Sequence, residues 1–139
     1  MNIYFACSIT GGREYQAIYQ SITDTLLDYG HIIPTAHLAD PGVVKFENFV
    51  DAREVYIRDV NWIEGCDLLI AEISTPSHGV GYEIAYALNL KKPVVCLYQE
   101  GVKVSKMITG NPHQQLNLIS YHDKDQAINR LQSSLNKFK

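Results

Sequence analysis

The chain has 139 residues, of which 46% are hydrophobic and 19% are charged. This length suits one domain with a real core, and the composition excludes an intrinsically disordered chain. A net charge of −3 gives no basic footprint for general nucleic-acid binding, and no apolar run approaches the length of a membrane span. We therefore expect a globular protein, a single domain over residues 1–139, that binds neither nucleic acid nor membrane.

Strand-like and helical segments alternate along the chain. Strands are predicted at residues 2–8, 31–35, 67–71, 94–98 and 116–121. Helices are predicted at residues 13–29, 51–65, 83–90 and 126–138, with long loops at 36–50 and 99–114. The alternation predicts an α/β fold, a flavodoxin-like three-layer sandwich with a five-stranded parallel sheet in the order 2-1-3-4-5. Phe46 and Phe49 in the first loop are candidate packing or lid residues.

The three cysteines, Cys7, Cys66 and Cys96, are odd in number and lack metal-binding or redox spacing. Two of them lie in apolar strand-like runs, which favours core thiols in a reducing compartment. The chain enters its first strand-like run at once, without a basic leader segment. We therefore expect a cytoplasmic protein.

In the predicted strand order, the carboxyl ends of the first and third strands are neighbours, so we expect the segments that follow them to meet. Ligands of open α/β sheets bind in the crevice at this point of the sheet. The first segment contains Ser8, Ile9, Thr10, Gly11, Gly12 and Arg13, and the third runs from Ser77 to Glu83. Backbone N–H groups, a hydroxyl and a guanidinium could cradle a phosphate there. Neither a Walker A loop nor a GxGxxG fingerprint is present, so Gly11-Gly12 could equally be an ordinary strand-to-helix turn.

Single residues in these segments leave alternatives open. Glu83 is predicted in the first turn of its helix, where it could bind a ligand or merely complement the helix dipole. Tyr4 could be a core ring with a satisfied hydroxyl. Asp59 could be a solvated helix residue, or a second carboxylate that divides acid and nucleophile roles with Glu83. The five histidines show no metal-ligand spacing, and a lone His37 or His78 is more often structural.

Three sequence segments, taken together, narrow the range of functions. Residues 4–13 read YFACSITGGR, residues 59–62 read DVNW, and residues 71–83 read AEISTPSHGVGYE. They resemble the nucleoside 2-deoxyribosyltransferase superfamily, and within it most closely the 2′-deoxynucleoside 5′-monophosphate N-glycosidases. The resemblance covers nearly the whole chain and implies a flavodoxin-like fold, a homodimer, no metal and no cofactor.

The resemblance also implies roles for individual residues. Glu83 would be the nucleophile that attacks the anomeric carbon of the deoxyribose, and Asp59 would assist departure of the base. Tyr4 would hold the Glu83 carboxylate and crowd the 2′ position. His37 would lie near the base. The residues that would line the 5′-phosphate pocket are Ser8, Gly11, Gly12, Ser77 and Gly79. Ser105, within the segment VSKMI at 104–108, would reach the phosphate bound by the neighbouring subunit.

Ala6 and Thr10 depart from the vertebrate N-glycosidases, which have Gly and Arg at these positions. One cationic contact to the phosphate or base is therefore expected to be missing, and base preference could differ. Three functions follow from the residues and the resemblance: a hydrolase of deoxynucleoside monophosphates, a deoxyribosyltransferase that exchanges nucleobases, or a non-catalytic nucleotide sensor. The match at Ser105 favours a phosphate-bearing ligand, and the intact Tyr4, Asp59 and Glu83 set favours an enzyme over a sensor.

Overall fold

The computed structural model describes residues 1–138. The strands of this part are β1 (Ile3–Ala6), β2 (Leu68–Glu72), β3 (Val94–Gln99) and β4 (Leu116–Tyr121). The α-helices are α1 (Gln16–Asp28), α2 (Val43–Glu47), α3 (Ala52–Gly65), α4 (His78–Asn89), α5 (Lys106–Thr109) and α6 (Lys124–Leu135). Short 3₁₀ helices cover Ala36–Ala39 and Asn136–Phe138.

The strands form one parallel sheet in the order β1-β2-β3-β4. Tyr19 of α1 and Leu131 of α6 pack with Phe5 on one face, and Ile84 of α4 packs with Leu69 on the other. Helices therefore cover both faces, which explains why the strands read as continuous apolar runs rather than alternating ones. The predicted three-layer α/β arrangement is confirmed.

The predicted second strand, residues 31–35, is wrong as a strand. Ile32 forms a single parallel bridge with Asn2 beside β1, and no ladder follows it. Pro34 has no N–H to donate. At the next β1 position, the Phe5 N–H instead donates a 2.9 Å hydrogen bond to the Thr35 hydroxyl. The sheet therefore has four strands within residues 1–138, not the predicted five.

Both predicted long loops contain helical turns. The Ala36–Ala39 3₁₀ helix and α2 lie within 36–50, and α5 lies within 99–114. These elements are four or five residues long, too short to display a helical period in sequence. The predicted core thiols are confirmed, since the three cysteines are free and buried.

Helix α4 begins five residues before the predicted start. The Ser77 hydroxyl caps it by accepting a 3.4 Å hydrogen bond from the Val80 N–H, so Gly79 and Gly81 are helical rather than part of a turn. Glu83 therefore lies in the second turn. Dipole effects fall off within the first turn, so the interpretation of Glu83 as a dipole-complementing residue loses its support.

Candidate active site

Tyr4 and Glu83 meet on the face of the sheet that carries α3 and α4. Side chains alternate along a strand, so Tyr4 points to this face while its neighbour Phe5 enters the opposite core. The Tyr4 hydroxyl donates a 2.9 Å hydrogen bond to Glu83 Oε1. Tyr4 is 0% exposed and Glu83 is partly exposed, so a fixed, buried ring orients the carboxylate.

Burial raises the pKa of Glu83 to about 8, the nearby Asp59 carboxylate raises it further, and the Tyr4 hydrogen bond opposes this rise. Burial also raises the pKa of Tyr4, so its hydroxyl remains a donor throughout the physiological range. Carboxyl groups that interact in this way titrate as a pair. The raised pKa favours a proton on Glu83 near neutral pH.

Asp59 projects from α3 with 16% of its side chain exposed. Its Oδ1 accepts a 2.8 Å hydrogen bond from Arg58 Nε. Burial raises the pKa of Asp59, and the Arg58 guanidinium lowers it. Asp59 is thus a partly buried, paired carboxylate within electrostatic reach of Glu83, and the alternative that it is simply solvated on the helix surface does not hold.

The loop after β1 packs against the loop after β2, as expected from the topology. A Cβ at Gly11 would lie 2.4 Å from the Pro76 carbonyl oxygen and 3.0 Å from Ser8 Oγ, so only glycine fits there. Gly12 has φ +132°, a backbone conformation that side chains disfavour. Ser8 is fully buried, and its hydroxyl has no hydrogen-bond partner within residues 1–138. An unpaired buried hydroxyl beside two close loops is suited to a polar ligand.

The other predicted phosphate ligands of this loop lie differently. Ile9 is partly buried and Thr10 is exposed. Arg13 NH1 donates hydrogen bonds to the carbonyl oxygens of Ser8 (3.1 Å) and Leu38 (3.0 Å), and its NH2 donates to the Asp40 carbonyl oxygen (2.9 Å). These bonds hold the loop after β1 against residues 38–40. The predicted phosphate contact of Arg13 stays a prediction.

Ser77 and Ser105 line one cavity of about 790 Å³ between the N-terminus of α4 and residues 103–111. Each hydroxyl accepts a hydrogen bond from the helix that it caps, Ser77 from the Val80 N–H and Ser105 from the Met107 N–H. A hydroxyl that accepts in this way still has its proton to donate. Gly79 lies in the first turn of α4, where backbone N–H groups favour an anion.

His37 lies at a second cavity, of about 480 Å³, that Asp40, Val43 and Phe46 also line. Its Nε2 is 3.6 Å from Glu47 Oε1, and its ring packs edge-on against Trp62 at 5.9 Å between centroids. Phe46 is 64% exposed, which is unusual for a phenylalanine without a partner surface. The predicted packing or lid residue therefore borders an open apolar recess.

Sequence reasoning missed a cluster that connects these parts. Arg58 donates from NH1 and NH2 to Glu47 Oε1 and Oε2 at 3.0 and 3.4 Å, in addition to its bond to Asp59. Its guanidinium also lies 5.0 Å above the Trp62 ring. The signal available was the position of Arg58 directly before Asp59. Glu47 gave no signal, because it lies in a segment predicted to be a loop.

A second missed cluster surrounds Glu72, which is fully buried at the end of β2. The Tyr121 hydroxyl donates a 2.9 Å hydrogen bond to Glu72 Oε1, and the hydroxyl and N–H of Ser74 donate to the same carboxylate. Burial raises the pKa of Glu72 to about 7. The carboxyl group joins the ends of β2 and β4.

No group of three or more His, Cys, Asp or Glu side chains in residues 1–138 is arranged to hold a metal ion. None of the helices in that range is long and apolar enough to cross a membrane.

The geometry unites a strand tyrosine, two carboxylates and two glycine- or serine-rich loops at one edge of a parallel sheet. Residues 3–130 match the family model described as nucleoside 2-deoxyribosyltransferase. The chain belongs to this family. The resemblance drawn from its three sequence segments is thereby confirmed.

Relatives of this deoxyribosyltransferase-family chain carry hydrolase names. A protein of Methanosarcina mazei named putative 2′-deoxynucleoside 5′-phosphate N-hydrolase 1 is 43% identical over 124 residues, which cover 89% of this chain and 77% of the relative. The 5-hydroxymethyl-dUMP N-hydrolase of Danio rerio is 36% identical over 135 residues, covering 95% of this chain and 94% of the relative.

Among solved structures, a CMP N-glycosidase of Clostridium botulinum superposes with a TM-score of 0.75 at 19% identity, covering 95% of this chain and 98% of that one. At this identity the likeness concerns the fold. This chain therefore shares its α/β fold with that structure.

Proposed function

We propose that this protein is an N-glycosidase that hydrolyses 2′-deoxynucleoside 5′-monophosphates to a free base and 2-deoxyribose 5-phosphate. The observation that carries the proposal is the Tyr4 hydrogen bond to Glu83, beside the Asp59 carboxylate. Such a site suits a glycosidase, in which two carboxyl groups divide the roles of nucleophile and acid. The hydrolase names of the relatives support the same reaction.

The first step forms a covalent intermediate. In the reactive form with nucleotide bound, the one proton of the two carboxyl groups is on Asp59, so Glu83 is a carboxylate and Asp59 is an acid. Glu83 then attacks the anomeric carbon as the bond to the base nitrogen breaks, and Asp59 gives its proton to the departing base. A deoxysugar has no electron-withdrawing 2′ oxygen, so its oxocarbenium-like transition state forms readily and needs modest acid assistance.

The second step releases the sugar. Water attacks the anomeric carbon of the glycosyl ester, and Asp59 takes the proton that the water loses. The Glu83 carboxylate departs, and the pair again holds one proton. Tyr4, bonded to Glu83 Oε1, keeps the nucleophile oriented through both steps.

The 5′-phosphate would bind at the N-terminus of α4 and the loop after β1. The unpaired Ser8 hydroxyl, the close approach at Gly11 and the donor proton of Ser77 support this location. We further propose a homodimer in which Ser105 serves the phosphate of the partner subunit. Remote binding energy at the phosphate would align the sugar for attack.

The base would occupy the recess lined by His37 and Phe46, where His37 is within electrostatic reach of Asp59. The buried, free cysteines are in keeping with a reducing cytoplasm, which we propose as the location of the protein.

The test is chromatography of each common deoxynucleoside monophosphate with purified protein, beside matching nucleosides and ribonucleotides. We expect free base and 2-deoxyribose 5-phosphate, and we expect Glu83→Gln to abolish both products. Glu54→Gln, an exposed carboxylate on α3, is the matched control and should retain activity. Turnover by a folded Glu83→Gln protein would refute the assignment of the nucleophile.

The description of the family model favours a second candidate, a transferase that passes the deoxyribosyl group to another base. Reactions with and without added adenine or hypoxanthine separate the two functions. A new nucleotide or nucleoside that forms only with the added base would establish the transferase. Release of base at the same rate in both reactions would establish the hydrolase.

A further inference from the structure

Arg58 contacts both the proposed acid, Asp59, and Glu47 of the helix that borders the proposed base recess. Its Nε donates to Asp59 Oδ1 at 2.8 Å, while NH1 and NH2 donate to the two oxygens of Glu47 at 3.0 and 3.4 Å. Arg58 lies on α3 and Glu47 on α2, so one guanidinium spans two helices. The planar fork of arginine makes both contacts at once, which a lysine ammonium cannot do.

The side chains of this network are largely shielded from solvent, which strengthens the interactions between their charges. The exposed fractions of the side chains are 11% for Glu47, 16% for Asp59 and 23% for Arg58. Exposed ion pairs contribute little, whereas a partly buried cation shared by two carboxylates is screened less by salt. The guanidinium is also packed on Trp62, and Trp62 contacts His37.

The core anchors the 3₁₀ helix and the start of α2 through the buried Leu38, Ala39 and Val43, whereas Arg58 binds at the other end of α2, at Glu47. His37 lies 3.6 Å from Glu47, and the residue before Glu47 is the exposed Phe46 that lines the recess. The contact of Arg58 with Glu47 therefore ties the end of α2 next to Phe46 to the helix that carries Asp59.

We propose that Arg58 is a positioning residue that orients the Asp59 carboxylate and, through Glu47, holds α2 so that Asp59 and the base recess face the same bound base. This inference rests on the proposed function. Arg58 fixes Oδ1, and Oδ2 accepts no hydrogen bond within residues 1–138, so Oδ2 is the atom directed to the substrate.

Asp59 is faced by a titratable or charged group from each element packed around it. These groups are Arg58 of α3, Glu47 of α2, His37 of the 3₁₀ helix, Glu83 of α4 and Tyr4 of β1. Arg58 lowers the pKa of Asp59 and Glu47 raises it. Removing these two residues one at a time should therefore shift the titration of Asp59 in opposite directions.

The first experiment follows the Asp59 carboxyl carbon by ¹³C NMR, with Asp59→Asn to assign the signal. We expect a higher pKa for Asp59 in Arg58→Gln and a lower one in Glu47→Gln. Arg58→Lys retains the charge but not the fork, and should lie between Arg58→Gln and the wild type. Arg53→Gln, an exposed arginine on the same helix, is the control and should leave the titration unchanged.

The second experiment uses the single tryptophan of the chain, which lies in the network. We expect acrylamide to quench Trp62 more strongly in Arg58→Lys, Arg58→Gln and Glu47→Gln than in the wild type or Arg53→Gln. In assays of base release, Glu47→Gln should raise KM more than it lowers kcat, because it loosens the recess. Arg58→Gln should lower kcat about tenfold to a hundredfold, as expected for the loss of a charge-assisted hydrogen bond to the acid.

An unchanged Asp59 titration and unchanged Trp62 quenching in folded Arg58→Gln would overturn the inference. If that variant fails to fold, the same readouts in Arg58→Lys and Glu47→Gln decide the question. A wild-type protein that releases no base from any nucleotide would refute the proposed function, whereas the two spectroscopic readouts would still decide whether Arg58 orients Asp59 and holds α2.

Discussion

The hydroxyl of Tyr4 and the carboxylate of Glu83 are hydrogen-bonded at 2.9 Å although 79 positions separate them in the chain. The strand holds one partner and the helix above it holds the other. The bond is formed when α4 docks on the sheet, so the fold itself completes the site.

Tyr4→Phe removes this bond and leaves the ring in the core. We expect kcat to fall about tenfold to a hundredfold, since a hydrogen bond to a charged group is worth roughly 1.5–3 kcal/mol. The pKa of Glu83 should rise, because the Tyr4 bond lowers it. Steady-state kinetics across pH measures both effects.

Tyr86→Phe is the matched control for this substitution. It deletes another tyrosine–glutamate hydrogen bond, an exposed one of 2.7 Å from the Tyr86 hydroxyl of α4 to Glu64 Oε1. Its kinetics should equal those of the wild type. Equal losses in the two variants would show that the Tyr4 bond has no special part in catalysis.

The pH dependence of kcat/KM reports how Glu83 and Asp59 share their proton. The one-proton form of the pair supplies both the nucleophile and the acid. Since the pKa of Glu83 is about 8, activity should be retained near neutral pH and fall as pH rises beyond 8.

Asp59→Asn should invert this trend. Without the acid, the remaining slow reaction needs only an ionised Glu83, so its rate should rise with pH. The rise should be centred below 8, because Asp59 raises the pKa of Glu83 in the wild type. A wild-type rate that itself rises through pH 8 would mean that Asp59 acts as an ionised hydrogen-bond acceptor.

Gly11→Ala tests the close contact of the loop after β1 with the loop after β2, the two loops proposed to bind the phosphate. The new Cβ would lie 2.4 Å from a backbone oxygen of Pro76, so one loop must move. We expect a loss of about 1–3 kcal/mol in the free energy of unfolding, typical of overpacking, and a raised KM for nucleotides. Urea unfolding and kinetics measure the two effects.

Gly65→Ala provides the comparison, because a Cβ there meets nothing within 4 Å. It should be neutral or slightly stabilising, as replacing a helical glycine usually is. If Gly11→Ala unfolds at the same urea concentration and binds nucleotide normally, the loops are not in the contact described.

Glu72→Gln tests a buried carboxyl group whose pKa is raised to about 7. The folded state binds this proton more tightly than the unfolded state does, so stability is greatest below pH 4.5 for this group and is lost as pH rises towards and through 7. Glutamine mimics the neutral form. The variant should therefore lose less stability than the wild type as pH rises from about 4.5 to 7.

Thermal melts at a series of pH values measure this difference. Glu83 has a raised pKa as well and contributes in the same direction, so Glu83→Gln and the double variant are needed to separate the two groups. Melting curves of Glu72→Gln that parallel those of the wild type at every pH would mean that Glu72 is ionised in the folded protein.

Apolar runs predicted β1, β2, β3 and β4, because strands buried on both faces are uniformly apolar. The failed strand at 31–35 has the same composition. This segment does not form a strand because Pro34 has no N–H to donate and because the Thr35 hydroxyl, rather than a backbone carbonyl, accepts the hydrogen bond from the Phe5 N–H. Composition carries no information on such a replacement.

The site divides in the same way. Tyr4, Asp59 and Glu83 were identifiable because they lie in recognisable segments. Glu47 and Arg58 were not, since their partnership joins a five-residue helix to α3 across 11 positions and depends on side-chain direction. Helices too short to show a sequence period, and ion pairs between separate elements, form only when the chain packs, so the sequence alone does not predict them.

The contacts of residues 31–35 with β1 have a consequence for self-association. The outward N–H groups of Ile3 and Phe5 donate to the Ile32 carbonyl and the Thr35 hydroxyl. An edge strand with free donors is a template on which another chain can add a strand. Here the irregular segment 31–35 accepts both hydrogen bonds without forming a strand. The segment therefore blocks the addition of another chain to β1, and it offers no regular strand edge of its own.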